Sequence, residues 1–209
     1  MKERPILFSA EMVRAILEGR KTQTRRVMKW QPDYDAIIDV GEIGSSRGVA
    51  YIGNSTSGGI RNRAPCPYGQ LGDRLLVRET FRVIDQTQPR IAIDYRSDPE
   101  EKWNRIGDLL GDGKKWTPSI HRPRWASRIL LEITDVRVEL VQEISEDDAK
   151  AEGAALEFAG AAFAAKHGSL LGRQYRYGFV HLWDSINAAR GVGWDVNPWV
   201  WVIEFRRIE

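Results

Sequence analysis

The 209-residue, 23.8 kDa chain is 42% hydrophobic and 29% charged with a formal net charge of +2, ordinary values for one well-packed globular domain. No apolar run approaches the ~20 residues that span a bilayer, and the opening MKERPILFSAEM has no signal-like apolar core, so a cytoplasmic protein without a membrane partner is expected. The single cysteine, Cys66, excludes an internal disulfide and agrees with a reducing compartment.

In chain order, PILF (5–8) reads as a short strand. Ser9 caps a helix over 10–18, with Glu11 in its first turn, Val13, Ile16 and Leu17 on its apolar face and Gly19 as its stop. Residues 31–70 are rich in Gly, Ser and Pro and read as loop with one strand or hairpin. DRLLVRETFRV (73–83) and RIAIDY (90–95) read as strands, and 96–119 as a polar excursion. RILLEITDVRVEL (128–140) is a long strand whose alternation shifts phase between Ile133 and Val136, which predicts a bulge or sharp bend. Ser145 caps a second short helix that Gly153 ends. The alanine-rich 153–169 is read as helix, and 175–186 as an amphipathic helix with Tyr175, Phe179, Leu182, Trp183 and Ile186 on one face. The terminal NPWVWVIEF reads as a central strand. The fold class is α+β: one domain with a bent, mostly antiparallel sheet or small β-barrel, flanked by short helices.

Charge is segregated along the chain. Residues 1–30 carry eight Lys/Arg against three Glu, HRPRWASR (121–128) three Arg and no acid, and EISEDDAKAE (143–152) five acids and one Lys. Such segregation points to a local electropositive site or, equally, to solvated basic loops. His121, His167, His181 and Cys66 have no ligand-pair spacing, and GDGKKW (111–116) lacks the P-loop spacing, so neither a metal nor another cofactor is expected.

The run EGRKTQTRR (18–26) draws the eye, because threonines stand among Arg20, Lys21, Arg25 and Arg26. In a fully extended chain Lys21 and Thr24 face opposite ways and meet only across a turn or bulge. Neighbouring cations favour the neutral form of Lys21, a base for a Thr24 nucleophile; simple phosphate or carboxylate contacts are the plainer alternative. Glu152 ends its helix where the dipole opposes a negative charge, which favours a proton-donating role. Glu79, inside an apolar strand, needs a buried partner, and the basic cluster is a candidate. Trp125, between Arg124 and Arg128, combines ring and guanidinium as a base-stacking site does, or else packs over a strand end.

The runs ILFSAEMVRAILEGRKTQTRR, GDRLLVRETF, PSIHRPRWASRILLEITDVRVE, ISEDDAKAEG and NPWVWVIEF resemble the ASCH-domain proteins of the PUA superfamily, in the longer form of phages and prophages. The resemblance implies a small β-barrel with insertions near 31–68, 85–115 and 154–173, and a partner that is RNA, a modified nucleoside or DNA carrying modified bases. One small bacterial branch, similar at G-x-K-T-x-T, hydrolyses acetylcytidine. Its catalytic Lys, Thr and Glu fall on Lys21, Thr24 and Glu152, with Arg25, Arg26 or backbone N–H groups stabilising the oxyanion. Two further readings are a non-catalytic nucleic-acid module gripping through Arg20, Arg25, Arg26, Arg124 and Trp125, and a ribonuclease using the same cleft.

Overall fold

The computed structural model describes residues 1–31, 36–39, 49–54, 60–85, 92–99, 115–167 and 172–208. The polar excursion expected over 96–119 lies largely outside the described residues. Strand β1 (Glu3–Leu7) leads into helix α1 (Ala10–Leu17), whose N-cap Ser9 accepts from the Met12 N–H. Val13 and Ile16 are buried as the spacing requires. The chain reverses at Gly19 into β2 (Gln23–Val27). Strands β3 (Ala36–Asp39), β4 (Val49–Asn54) and β5 (Ile60–Pro65) form a three-stranded antiparallel sheet, more than the single strand or hairpin expected there.

The stretch 73–83 is two strands rather than one. β6 (Arg74–Arg78) stops where Glu79 turns into a buried cluster of arginines, and β7 (Phe81–Asp85) leaves the main sheet to pair with β8 (Ala92–Tyr95). The long strand β9 (Leu130–Leu140) carries the predicted bulge: Glu204 pairs with Asp135 and Phe205 with Ile133, leaving Thr134 over. That extra residue keeps Leu131, Ile133 and Val136 all in the core. Helix α2 (Glu146–Ala151) starts at Ser145, which exchanges hydrogen bonds with Asp148 in a capping box.

The alanine-rich run is not one helix. It is a short strand β10 (Glu157–Ala159) followed by α3 (Ala161–His167), and β10 pairs with β11 (Gly172–Gln174). An alanine-rich run has no apolar stripe to commit it, so strand pairing prevails over propensity. Helix α4 (Tyr175–Asn187) buries Phe179 and Trp183 as expected, whereas Ile186 at the end of the stripe is 42% exposed. Gly178 allows α4 its close approach: a Cβ there would stand 2.0 Å from the Ala155 carbonyl oxygen.

β12 (Trp199–Arg207) completes a five-stranded sheet of order β1-β6-β9-β12-β2, antiparallel except for the β1–β6 pair. It lies inside the sheet and is buried on both faces. Trp201, Ile203 and Phe205 join the core under α1, while Val200 and Val202 join the core under α4 with Trp194. The expected closed barrel is not formed. β1 and β2 are the two sheet edges, and no backbone pairing joins them among the described residues. Their connector α1 contributes Val13 and Ile16 to the core in place of a closing strand, and the Arg26 guanidinium donates to the Leu7 carbonyl (2.7 Å) from one edge to the other. Among the described residues no helix is long and apolar enough to cross a membrane.

Candidate functional site

The C-terminal end of α2 is held against residues 21–25. Helix ends leave backbone carbonyls without intrahelical partners, and here the cluster after Gly19 supplies the donors. The Thr22 N–H bonds Ala151 O (2.8 Å), the Gln23 amide bonds Asp148 O (2.9 Å) and Lys21 Nζ bonds Glu152 O (2.7 Å). The next residue, Gly153, has φ +79°, and a Cβ on it would sit 3.1 Å from Ala15 Cβ and 3.3 Å from Lys21 Cβ. Glycine is therefore required there for conformation and for space.

Lys21 Nζ also donates to Glu152 Oε2 at 2.7 Å, with the lysine side chain fully buried. Arg25, equally buried, reaches Glu152 Oε1 (3.3 Å), Glu139 Oε2 (2.8 Å) and Asp148 Oδ2 (3.4 Å). Arg137 extends the network to Glu139, Asp148 and Glu204. The unfavourable dipole at Glu152 is thus offset by two cations, and Lys21 and Arg25 of the basic motif are neutralised rather than left as an open positive surface. Burial lowers the Lys21 pKa most strongly; the Glu152 carboxylate opposes this, and Arg26 and Arg25 add to the lowering. Desolvation, more than the neighbouring cations invoked from sequence, therefore favours the neutral amine. At Asp148 burial raises the pKa, but the Ser145 hydrogen bond and the charges of Arg25 and Arg137 outweigh it and hold the carboxyl below its ordinary range.

A cavity of about 170 Å³ opens at the β2 edge. Thr24, Arg25, Arg26 and Glu152 line one side of it, and Tyr68 and Phe179 add aromatic surface. β2 is an edge strand, so side chains from both of its faces reach the cavity: Thr24 and Arg26 on the face of Ile203 and Trp201, Arg25 on that of Val202. The Thr24 hydroxyl has no hydrogen-bond partner among the described residues. Lys21 does not line the cavity; its amine stands behind Glu152. Lys21, Thr24, Glu152, Arg25 and Arg26 are thereby brought together. Cation–π contacts place the Arg25 guanidinium 5.9 Å from the Phe179 ring centroid and that of Arg26 5.2 Å from Phe8.

The other sequence candidates lie elsewhere. Arg20 is exposed and paired with Glu18 (2.5 Å). Glu79 is buried, and its partners are Arg122 (3.0 Å), Arg128 (3.0 Å) and the Ser97 hydroxyl, not the Lys21 cluster. The HRPRWASR run is in part the counter-charge that Glu79 needs: Arg122 and Arg128 stack on Tyr95 at 4.9 and 3.9 Å. Arg124 pairs with Glu3 (2.7 Å), and Trp125 is 58% exposed. None of Arg20, Glu79, Arg124 and Trp125 lines the cavity. A second hollow of about 370 Å³, beside Arg20, Thr22, Lys150 and Tyr175, holds neither Thr24 nor Glu152. Among the described residues no group of three or more His, Cys, Asp or Glu is placed to hold a metal ion, and His181 contacts Glu157.

Sequence reasoning missed Tyr68, Arg190, Glu139 and the site role of Phe179, which enter through tertiary packing. Asp148 had a signal, since it falls in the acidic run. No family model matches the chain, and no curated protein matches it. A solved ASCH domain from Lactobacillus crispatus JV V101 aligns over 99% of this chain and 79% of that one, with a TM-score of 0.36 and 15% identity. A likeness that slight defines neither family nor function.

Proposed function

We propose that this is an ASCH-type protein of the phage form that takes a modified nucleoside, free or within RNA, into the β2-edge cavity and hydrolyses an N-acyl group on its base. The observation that carries this reading is that Thr24 and Glu152, the carboxylate that clasps a buried Lys21, line one cavity. Among the described residues the Thr24 hydroxyl is bonded to neither Glu152 nor Lys21, so the reaction requires that contact to form with substrate bound. The match of GRKTQTRR to the motif of the acetylcytidine amidohydrolases supports it. So does size: about 150 Å³ accommodates one benzene-sized ring, and this cavity has about 170 Å³.

In the reaction Thr24 Oγ attacks the acyl carbonyl carbon. Its proton passes by way of Glu152 to Lys21 in its deprotonated form, the form that burial favours and that rising pH populates, and the resulting ammonium lies against the carboxylate. Arg25, or a backbone N–H group, stabilises the oxyanion. The C–N bond breaks as the pair returns the proton to the leaving amine, and water then hydrolyses the Thr24 ester. The net change is amide plus water to acid plus amine.

The test is turnover of acetylcytidine and other N-acylated nucleosides and nucleotides by wild type, Thr24→Ala and Lys21→Ala, with folding checked by circular dichroism. Turnover in wild type that falls at least ~100-fold in Thr24→Ala supports the reading. No turnover by wild type of any acylated nucleoside or nucleotide refutes it. The second reading, binding of RNA or modified DNA without chemistry, is favoured by the way Lys21 and Glu152 satisfy each other and the end of α2. It requires ligand affinity, with no turnover, that falls as salt rises.

A further inference from the structure

Among the described residues lining the β2-edge cavity Glu152 is the one carboxylate, and it is already bonded to Lys21 and Arg25. Two more cations line the same cavity, Arg26 and Arg190, and neither has a carboxylate partner among the described residues. Arg26 donates to the Leu7 carbonyl; its Nε, like those of Arg4, Arg25, Arg74, Arg78 and Arg176, is buried with no hydrogen-bond partner among the described residues. Arg190 stands exposed on the turn that follows α4 and has no ion pair among the described residues. Its charge is felt at Arg26, adding to the burial that lowers the Arg26 pKa. Like charges sharing a partly desolvated cavity repel, and one anion between them relieves that repulsion.

Size says where that anion lies. A cavity of about 170 Å³ takes one ring, so a ribose and whatever it carries extend outward, toward exposed Arg190. We propose that the ligand is a nucleoside phosphate rather than a free nucleoside, its base in the cavity and its phosphate held by Arg26 and Arg190. Guanidinium forks match phosphate oxygens in geometry as well as charge. The inference rests on the base-binding reading of the cavity given above and adds the phosphate to it.

The experiment is calorimetric titration of the full chain with cytidine and acetylcytidine and with the 5′- and 3′-monophosphates of each, in wild type and Arg190→Ala. Arg190 is exposed, so its truncation leaves the fold intact. A cytidine dinucleotide tells a strand phosphate from that of a free nucleotide, and inorganic phosphate alone tests whether the base is needed. The expected result is a monophosphate or dinucleotide binding at least ~10-fold tighter than the nucleoside, the advantage vanishing in Arg190→Ala and shrinking with salt. Equal affinity for nucleoside and phosphates, an advantage that survives in Arg190→Ala, or inorganic phosphate binding as tightly as the nucleotides overturns the proposal. Turnover separates this from the hydrolase reading. Arg190-dependent nucleotide binding without hydrolysis leaves the phosphate site standing and removes the chemistry; hydrolysis with no preference for phosphate does the reverse.

Discussion

Replacing Glu152 by alanine removes the carboxylate that faces two fully buried cations. Lys21 Nζ lies 2.7 Å from Oε2 and Arg25 3.3 Å from Oε1. Arg25 keeps Glu139 and Asp148, but among the described residues the one hydrogen bond left to Lys21 Nζ is to the residue-152 carbonyl. Breaking a buried pair from one side costs about 3–5 kcal/mol, because a charge is left without compensation. For a chain of this length that lowers Tm by roughly 6–20 °C.

The loss is pH-dependent, with a definite sign. Lys21 has its pKa lowered from 10.5 in the folded protein, mainly by burial and against the pull of Glu152. Without Glu152 that pull is gone, so the folded-state pKa falls further. Between the folded value and 10.5 the unfolded chain holds the extra proton, so raising the pH through this window stabilises the variant. Urea denaturation followed by tryptophan fluorescence at several pH values measures both effects. The double variant Lys21→Met, Glu152→Leu removes both charges and should recover about 2 kcal/mol or more of the single-variant loss. A Glu152→Ala loss below about 1 kcal/mol, with no rise on alkalinisation, would refute the buried-pair account.

Three other outcomes are expected. Gly178→Ala should destabilise by at least ~1–3 kcal/mol in denaturant titration, because its Cβ would stand 2.0 Å from the Ala155 carbonyl oxygen; helix propensity alone predicts a gain of about 1 kcal/mol. Burial pushes the Cys66 thiol up to about 11 from 9.0, so it should react slowly with thiol reagents in the native protein and readily in urea. Between those two values the unfolded thiol ionises first, and wild type should lose stability relative to Cys66→Ala by about 1.4 kcal/mol per pH unit. If Lys21 is the base, turnover should rise with pH and level off at an apparent pKa below 10.5, the ordinary lysine value; a profile flat on its acid side would remove Lys21 from that role.

The local signals in the sequence carried a good deal. Ser9 and Ser145 cap their helices as their spacing requires, the phase shift in 128–140 is a bulge at Thr134, and the apolar run ending the chain is a strand buried on both faces. These are settled by neighbours within a few residues, where side-chain period and capping chemistry act directly. The tertiary structure decided the rest. It left the sheet open between β1 and β2, split 73–83 at Glu79, and separated Glu79, Arg124 and Trp125 from the Lys21 cluster. Which carboxylate neutralises which cation depends on where the chain returns, over separations such as the 131 residues between Lys21 and Glu152. Tyr68 and Arg190 likewise reach the cavity by packing alone. Residue type told which groups needed partners, and folding chose the partners, because a buried charge is satisfied by whichever opposite charge the core brings within a few ångströms of it.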